Sequence, residues 1–594
     1  MTSPRLHIPN AQPGSLETLP VQFNRVPEWL ESLPVANTHE SANQLLTLLS
    51  RLNRYPLGIQ EREGILGHCR PVVETLIAGL RKPLVRAAHP LHERPRKAAD
   101  TLQRLLTELA IGYKILVRDI TTARLASNRK HRLGEALLSA HHFLAELVVH
   151  CYSLYVAVPS GTWSDLHELF SFTREEAFGV RDQLRDDLGH AYKRICLLAL
   201  TNPYQLMEGE ARRVYEKLDA WADSVEMTRL TGVRPPEGVY YTDLHSDQPP
   251  RYAVDANNPE TEEAYAFAVD GLLRRISQRL KELIAAGELR ESRMARQERD
   301  LLLRLERAWT QRRRRRFPRT QHLSEITLAG SLSACHYYVS DGAEFNPETK
   351  ELAIRQKTAP DLELIPEDYK PWNLPGSKTQ AVPQGSSNHT ASFRARDLSS
   401  DIWHQIYVTE MRDPDEKYAD PAFPAAPLFQ LDESVGGLCV RCAADSPLRL
   451  QVGELVAYEL GEPRDPGNWR IGAIRWLIQN GNGTVDVGIK RLARNAQPVA
   501  ARAVRGVGKE SGYFRSLLIP RTDPREKTTA LIVPSGVYDV GSLLALEYDD
   551  EMLYAQLTKM LETTGCYTVF AFQLTEEPGE RIRRTALETQ RKIP

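Results

Sequence analysis

The sequence predicts an α+β multidomain protein with a helical N-terminal half and a mostly β C-terminal half. Three observations carry this reading. Helix-period apolar stripes recur between Thr38 and Arg316; short β-branched and aromatic runs replace them after Arg319; and no run approaches the ~18 apolar residues of a membrane span. At 594 residues the chain is several times the length of one domain, so at least three folding units are expected.

Residues 1–37 read as a flexible N-terminus and 38–231 as a helical domain, either a bundle or a helical repeat. Leu102, Leu105, Leu106, Leu109, Tyr113 and Leu116 return to one face every three or four residues. Leu137, His141, Leu144, Val148, Cys151 and Tyr155 do the same. Pro159–Gly161 ends that stripe, and Thr162 reads as the N-cap of a new helix with Asp165 in its first turn. No fixed-period repeat motif is present, so bundle and repeat scaffold both remain open. Residues 232–261 are rich in Pro, Asn and Asp and read as a loop or linker. Helical pattern resumes over 262–311, through Leu301, Leu302, Leu305 and Trp309, and runs into the arginines Arg312–Arg316. A helix C-terminus suits such cations, because its last carbonyls carry partial negative charge.

After Arg319 the runs LSACHYYVS, IWHQIYVTEM, GGLCVRC, ELVAYEL, WRIGAIRWL and TVDVGIKRL read as strands. Residues 341–400 are polar and rich in Pro, Gly and Ser, and read as a disordered insertion. The runs TALIVPSGVYDV, SLLALEY, LYAQLTKML and YTVFAFQL form a second small β unit over 525–575, before a flexible tail at 576–594.

Bulk properties exclude several classes. Lys+Arg 76 against Asp+Glu 77 leaves a net charge of -1, which argues against broad attraction to nucleic acid or anionic membrane. Any anion site must be local. Seven scattered cysteines and a start without a signal-peptide pattern fit a reducing, cytoplasmic setting.

Three features then line up in order. Arg315-Arg316-Phe317-Pro318-Arg319 comes first, Asp432-Glu433-Ser434-Val435-Gly436-Gly437 follows, and a β-meander containing Val452-Gly453 ends in Val487-Gly488-Ile489. Together they resemble the PilZ domain over about residues 312–500. The resemblance implies a PilZ-like antiparallel β-barrel that binds cyclic di-GMP through RxxxR and [D/N]xSxxG motifs. Arg315 and Arg319 match the first motif, with Arg316 beside them; Asp432, Ser434 and Gly437 match the second. The 113-residue separation of Arg319 and Asp432 exceeds the spacing in a compact domain of this kind, and the 341–400 insertion accounts for the excess at a closure cost that grows only logarithmically.

The residue types suit that ligand, a dianion with two purines. An arginine fork donates to phosphate and to guanine acceptors, and its face stacks on rings. Aspartate accepts from guanine N–H donors, serine bonds phosphate or base, and glycine lets backbone approach closely. Each motif alone has a bland reading, a solvated basic helix end or a common turn; order and strand context raise them above it.

Other candidates carry less. Cys439-Val440-Arg441-Cys442 is a single CxxC whose thiols point to opposite faces of a strand, so no metal site is expected. His141, His142, His150 and Cys151 read as core. Gly506-Val507-Gly508-Lys509-Glu510-Ser511 lacks the glycine and hydroxyl of a phosphate loop. Arg394-Ala395-Arg396-Asp397-Leu398-Ser399 lacks both motif spacings and reads as loop. Trp403, Trp469 and Trp476 read as core or rim aromatics. No catalytic set stands out. The expectation is therefore a non-catalytic cyclic di-GMP receptor without another cofactor, with a protein partner on its helical half and no membrane insertion. Two alternatives stand beside it: a helical interaction scaffold whose barrel no longer binds ligand, and a nucleic-acid binder using Arg312–Arg316.

Overall fold

The computed structural model describes residues 3–11, 23–34, 37–85, 87–123, 129–174, 182–254, 258, 260–286, 292–310, 318–358, 423–460, 468–504, 512–520, 529–549 and 551–576. Helices come first: α1 (Val26–Glu31), α2 (Thr38–Leu52), α3 (Ile59–Arg81), α4 (Glu93–Thr122), α5 (Arg129–Ser153), α6 (Thr162–Arg174), α7 (Asp182–Ala199) and α8 (Glu210–Trp221). The stripe Leu102, Leu105, Leu106, Leu109, Tyr113 and Leu116 of α4 is buried against the matching stripe of α5, as its period requires. His141 and His150 lie within this packing, where His150 Nε2 meets the Ala99 carbonyl at 3.1 Å.

Residues 3–11 are more ordered than expected. His7 N–H donates to Asp165 Oδ1 at 2.8 Å, and Lys114 Nζ donates to the His7 carbonyl and to Asp165 Oδ2, both at 2.6 Å. Lys114 and Asp165 are both buried, so each needs a partner, and the N-terminal strap supplies a third polar group. Val26 and Leu30 of α1 then enter the helical core.

The 232–261 segment is not a linker. It contributes to a four-stranded antiparallel sheet of order β1-β4-β2-β3, comprising β1 (Glu226–Val233), β2 (Tyr240–Asp243), β3 (Arg251–Tyr252) and β4 (Thr261–Ala268). Residues 262–311 accordingly begin in a strand rather than a helix. Tyr240 and Tyr241 are buried, while Pro235, Pro236, Pro249 and Pro250 lie between the strands. One of these connections caps α6. The Asp247 carboxylate accepts from the backbone N–H groups of Gly161, Trp163 and Ser164 at 2.6–3.1 Å, replacing the cap expected from Thr162. Helices α9 (Asp270–Ala285) and α10 (Arg293–Thr310) follow, and Leu301, Leu302, Leu305 and Trp309 bind α10 to the helical core.

Two closed six-stranded barrels complete the chain. The first has the order β10-β7-β6-β5-β8-β9, from β5 (Thr320–Gly330), β6 (Ala425–Ser434), β7 (Gly437–Cys442), β8 (Leu455–Leu460), β9 (Arg470–Gln479) and β10 (Val485–Ala493). The second has the order β11-β12-β13-β16-β15-β14, from β11 (Gln497–Ala503), β12 (Phe514–Pro520), β13 (Thr529–Pro534), β14 (Leu543–Tyr548), β15 (Glu551–Thr563) and β16 (Tyr567–Thr575). The second β unit therefore begins well before residue 525.

The run LSACHYYVS is helical rather than extended: α11 (Leu332–Val339) is capped by Ser331, whose side chain accepts from Ala334 N–H. Leu332 and Cys335 wedge between the outer faces of the barrels, against Leu455 and Ala473 of the first and Leu517 and Ile532 of the second. Residues 341–358 also depart from the disordered reading. They turn into α12 (Pro347–Thr358), where Glu351 accepts from Arg502 Nη2 and the Tyr513 hydroxyl, each at 2.6 Å. Phe345 and Phe423, which flank the undescribed 359–422, both lie against the Arg515 guanidinium at 4.9 and 5.2 Å. The run IWHQIYVTEM, Arg394–Ser399, Trp403 and the tail beyond 576 lie outside the described residues, as do Gly506–Ser511.

The helical half docks on the first barrel. Tyr155, at φ +57°, enters the barrel core beside Val440, Leu477 and Val485, and its hydroxyl donates to the Leu206 carbonyl at 2.9 Å. His89 and Leu450 exchange backbone hydrogen bonds of 3.1 and 2.8 Å beside it. Among the described residues no helix is long and apolar enough to cross a membrane, and no group of three or more His, Cys, Asp or Glu could hold a metal.

Candidate functional site

Strand alternation alone would turn Asp432 and Ser434 inward, because Ala426, Leu428 and Gln430 of β6 all face the barrel interior. A β-bulge prevents this. Gln430 pairs with Val440, but Asp432, not Leu431, pairs with Cys439, so the face switches at Leu431. Asp432 and Ser434 consequently point to the outer face. The β6–β7 hairpin closes in two residues, Val435 and Gly436, with Ser434 Oγ donating to the Gly437 carbonyl at 3.2 Å.

Gly437 is required by crowding. A Cβ there would stand 2.3 Å from the carbonyl oxygen of Ile489. The neighbouring strand holds the hairpin in place: Arg491 N–H donates to the Gly436 carbonyl at 3.1 Å, and Arg491 Nη2 donates to Glu433 Oε2 at 2.9 Å.

Arg319 arrives at this face from the residue before β5. Its Nη1 donates to Asp432 Oδ2 at 2.8 Å, with the two side chains 38% and 23% exposed. Arg319, Asp432, Ser434 and Gly437 are thus brought together. Arg315 and Arg316 lie outside the described residues, between α10 and β5.

The register defines what lies beside them. Asp432 pairs with Cys439, Cys439 with Gly488, and Gly488 with Trp476, all on the outer face. A second row runs from Ser434 through Gly437 to Lys490. Gly437 and Cys439 make a floor of small residues between Arg319 and Asp432 on one side and Lys490 and Trp476, which covers Gly488, on the other. The Trp476 indole lies directly over Gly488, where a Cβ would meet Nε1 at 1.9 Å. At about 4.8 Å per strand the first row spans roughly 14 Å. Burial pushes the Cys439 thiol up to about 12, reinforced by the Asp432 and Asp486 carboxylates, so it stays protonated. Trp476 and Lys490 were not singled out from sequence as partners of the motif. Their signal was the alternation in RIGAIRWL and VDVGIKRL, read together with Gly488 on the outward side.

A closed six-stranded barrel with an outward Asp-x-Ser-x-x-Gly hairpin and an arginine leading into its first strand defines a PilZ domain. The chain belongs to the PilZ-domain family. Consecutive parts of it match the domains of the Cyclic-di-GMP receptor FimW: the N-terminal domain over residues 24–232, the middle PilZ domain over 239–498 and the C-terminal beta-barrel domain over 499–575. The Cyclic-di-GMP receptor FimW of Pseudomonas aeruginosa is 27% identical over 611 residues, covering 96% of this chain and 93% of the relative. No solved structure matches the chain.

Proposed function

We propose that the protein is a non-catalytic receptor for cyclic di-GMP, which lies on the outer face of the first barrel. The observation that carries this reading is the bulge at Leu431, which turns Asp432 and Ser434 onto the face that Arg319 reaches, beside the small residues Gly437 and Cys439. A flat dinucleotide fits that floor. Arg319, together with Arg315 and Arg316, donates to phosphates and guanine edges; Asp432 accepts from guanine N–H donors, Ser434 bonds phosphate or base, and Gly437 keeps the hairpin close to β10. No metal or second cofactor is needed, because phosphate charge is met by arginine.

The same segment relays binding to the helical half. Residues 311–319 join α10, packed into the helical core through Trp309, to β5 of the barrel. Capture of the arginines by ligand therefore acts on α10, and the helical half presents the result to a protein partner. All seven cysteines are buried and none is in a disulfide, which supports a reducing, cytoplasmic setting.

Calorimetric titration with cyclic di-GMP, GTP and cyclic GMP tests the reading. Binding of cyclic di-GMP in the micromolar range or tighter is expected, which corresponds to about 8 kcal/mol, with much weaker binding of the other two. Absence of heat with cyclic di-GMP, or equal affinity for GTP, removes the assignment.

A further inference from the structure

Beyond Lys490 the outer face of the first barrel opens into a cavity of about 1020 Å³ where all three domains meet. Its walls are α10, the first barrel around Arg475 and Lys490, and the end of β15 in the second barrel, with Leu206 and Met207 of the helical half closing one side. The cavity does not include Asp432, Ser434 or Gly437.

Its charge is unbalanced. Arg299, Arg304, Arg307, Arg475 and Lys490 line it, against the carboxylates of Asp300 and Glu562. Arg304 is paired with Glu210 behind the wall, which supplies a third carboxylate and leaves two positive charges uncompensated among the described residues. Arg475 and Lys490 share the single carboxylate of Glu562, at 2.5 and 3.2 Å. Burial pushes Glu562 up, but these two cations outweigh it and hold the carboxyl below its ordinary value. Arg307 is exposed and has no ion-pair partner among the described residues, and Arg304 Nε is buried without an acceptor among them. Between the cations stand apolar side chains, including Leu303, Ile474 and Met560.

We propose that this junction is a second anion site, separate from the hairpin, that takes a doubly charged nucleotide. Two surplus positive charges match a phosphate dianion, the apolar wall accepts a base, and the volume is that of a small-molecule pocket rather than a single-ion site. Arg307 and the Arg475–Lys490 pair hold the phosphates, and the buried Arg304 N–H gains an acceptor. Because each domain supplies one wall, occupancy fixes the domains against one another. The occupant is either a second cyclic di-GMP or a mononucleotide, and the two are distinguished by titration.

The test is equilibrium dialysis of the full chain with cyclic di-GMP, GMP and AMP, on wild type and on Asp432→Ala, Arg307→Ala and Arg475→Ala. Asp432→Ala impairs the hairpin site alone, so at least one probe should still bind that variant, and adding Arg307→Ala or Arg475→Ala should weaken the remainder at least tenfold. Retention of cyclic di-GMP identifies a second copy of the same ligand; retention of GMP or AMP alone identifies a mononucleotide. Arg307→Ala removes an exposed side chain, so its folding should be unchanged. Loss of all binding in Asp432→Ala, with Arg307→Ala and Arg475→Ala binding cyclic di-GMP as wild type does, overturns the junction site and leaves the hairpin reading intact. Residual binding indifferent to both arginines also overturns it.

Discussion

The backbone N–H of Gln479, in the first barrel, donates at 2.8 Å to the carbonyl of Tyr155, in the helical half. Gln479 pairs with Val485 of β10, whereas Gly437 of the hairpin pairs with Lys490 of the same strand. Five residues of β10 thus separate the docking end from the motif end, roughly 17 Å at strand rise. Tyr155 thus anchors the barrel to the helical half at the end away from the hairpin, while Arg319 leads into β5 at the hairpin end.

Tyr155→Ala should expose that dependence. The ring fills the barrel core beside Val440 and Leu477, and its hydroxyl satisfies the Leu206 carbonyl, so truncation leaves a cavity and an unpaired acceptor. A loss of about 3 kcal/mol is expected in the first unfolding transition, with cyclic di-GMP affinity within about twofold of wild type. Urea denaturation followed by calorimetry on the folded fraction reads both. An unchanged transition would show that the barrel does not depend on this anchor.

Gly437→Ala addresses the motif end. The added methyl collides with the Ile489 carbonyl, and backbone rather than a flexible side chain must move. We expect a stability loss of roughly 1–3 kcal/mol and at least a tenfold loss in affinity, since the hairpin is pushed off β10. Gly481→Ala is the control, because nothing stands within 4 Å of a Cβ there. Comparable losses in both variants would mean that crowding at Gly437 is not the cause.

The fold class, most strands and the helical stripes were legible because their signals are local. In TVDVGIKRL the alternation of Val485, Val487 and Ile489 predicts the inward face, and these residues form the barrel core. The 232–261 sheet was illegible for the opposite reason: its polar edge strand β1 exposes most residues, and Asp247 acts on α6 across more than eighty residues. Strands β11 and β12 hid in a stretch containing Pro498 and undescribed residues 505–511. At the site, the motif letters were readable, but the face they occupy was not. It depends on a bulge at Leu431 that simple alternation contradicts, and on a register that brings Trp476 and Lys490 alongside.

Acid should weaken the structure in a defined window. Burial lowers His89, His150 and His167 to about 4 each, outweighing the hydrogen bonds they donate to Gln479, Ala99 and Gln248, which raise them. Folded values lie below the unfolded value near 6.5, so the unfolded chain binds protons more tightly. The stability these neutral imidazoles contribute is complete above pH 6.5 and is lost as pH falls toward 4, on the order of 3 kcal/mol per histidine at the lower limit. Thermal unfolding at pH 7.5, 6.0, 5.0 and 4.5 should show a falling midpoint that steepens below pH 6. A midpoint flat from pH 7.5 to 5.0 would contradict neutral burial of these groups.

The Arg319–Asp432 pair yields the sharpest test. Both side chains are partly exposed, so the pair contributes only about 0.2–1 kcal/mol to folding, and Arg319→Ala should leave thermal stability nearly unchanged. Ligand must draw Arg319 away from Asp432 or receive hydrogen bonds from both sides at once; the weak pairing makes that exchange easy. Loss of Arg319 then removes a charge-assisted bond to the ligand, and cyclic di-GMP affinity should fall roughly tenfold to a hundredfold, equivalent to about 1.5–3 kcal/mol. Asp432→Ala frees Arg319 yet deletes the guanine acceptor, so affinity should fall at least tenfold as well. Asp432→Asn breaks the ion pair but keeps a carbonyl acceptor at the same place, and should stay within about threefold of wild type. Arg312→Ala, outside the motif, should lower affinity only slightly, and 0.5 M salt should erase the difference by screening. Calorimetry on these four variants separates recognition from a general basic field. Equal losses at Arg312 and Arg319, or undiminished affinity in Asp432→Ala, would show that the ligand does not use this face of the barrel.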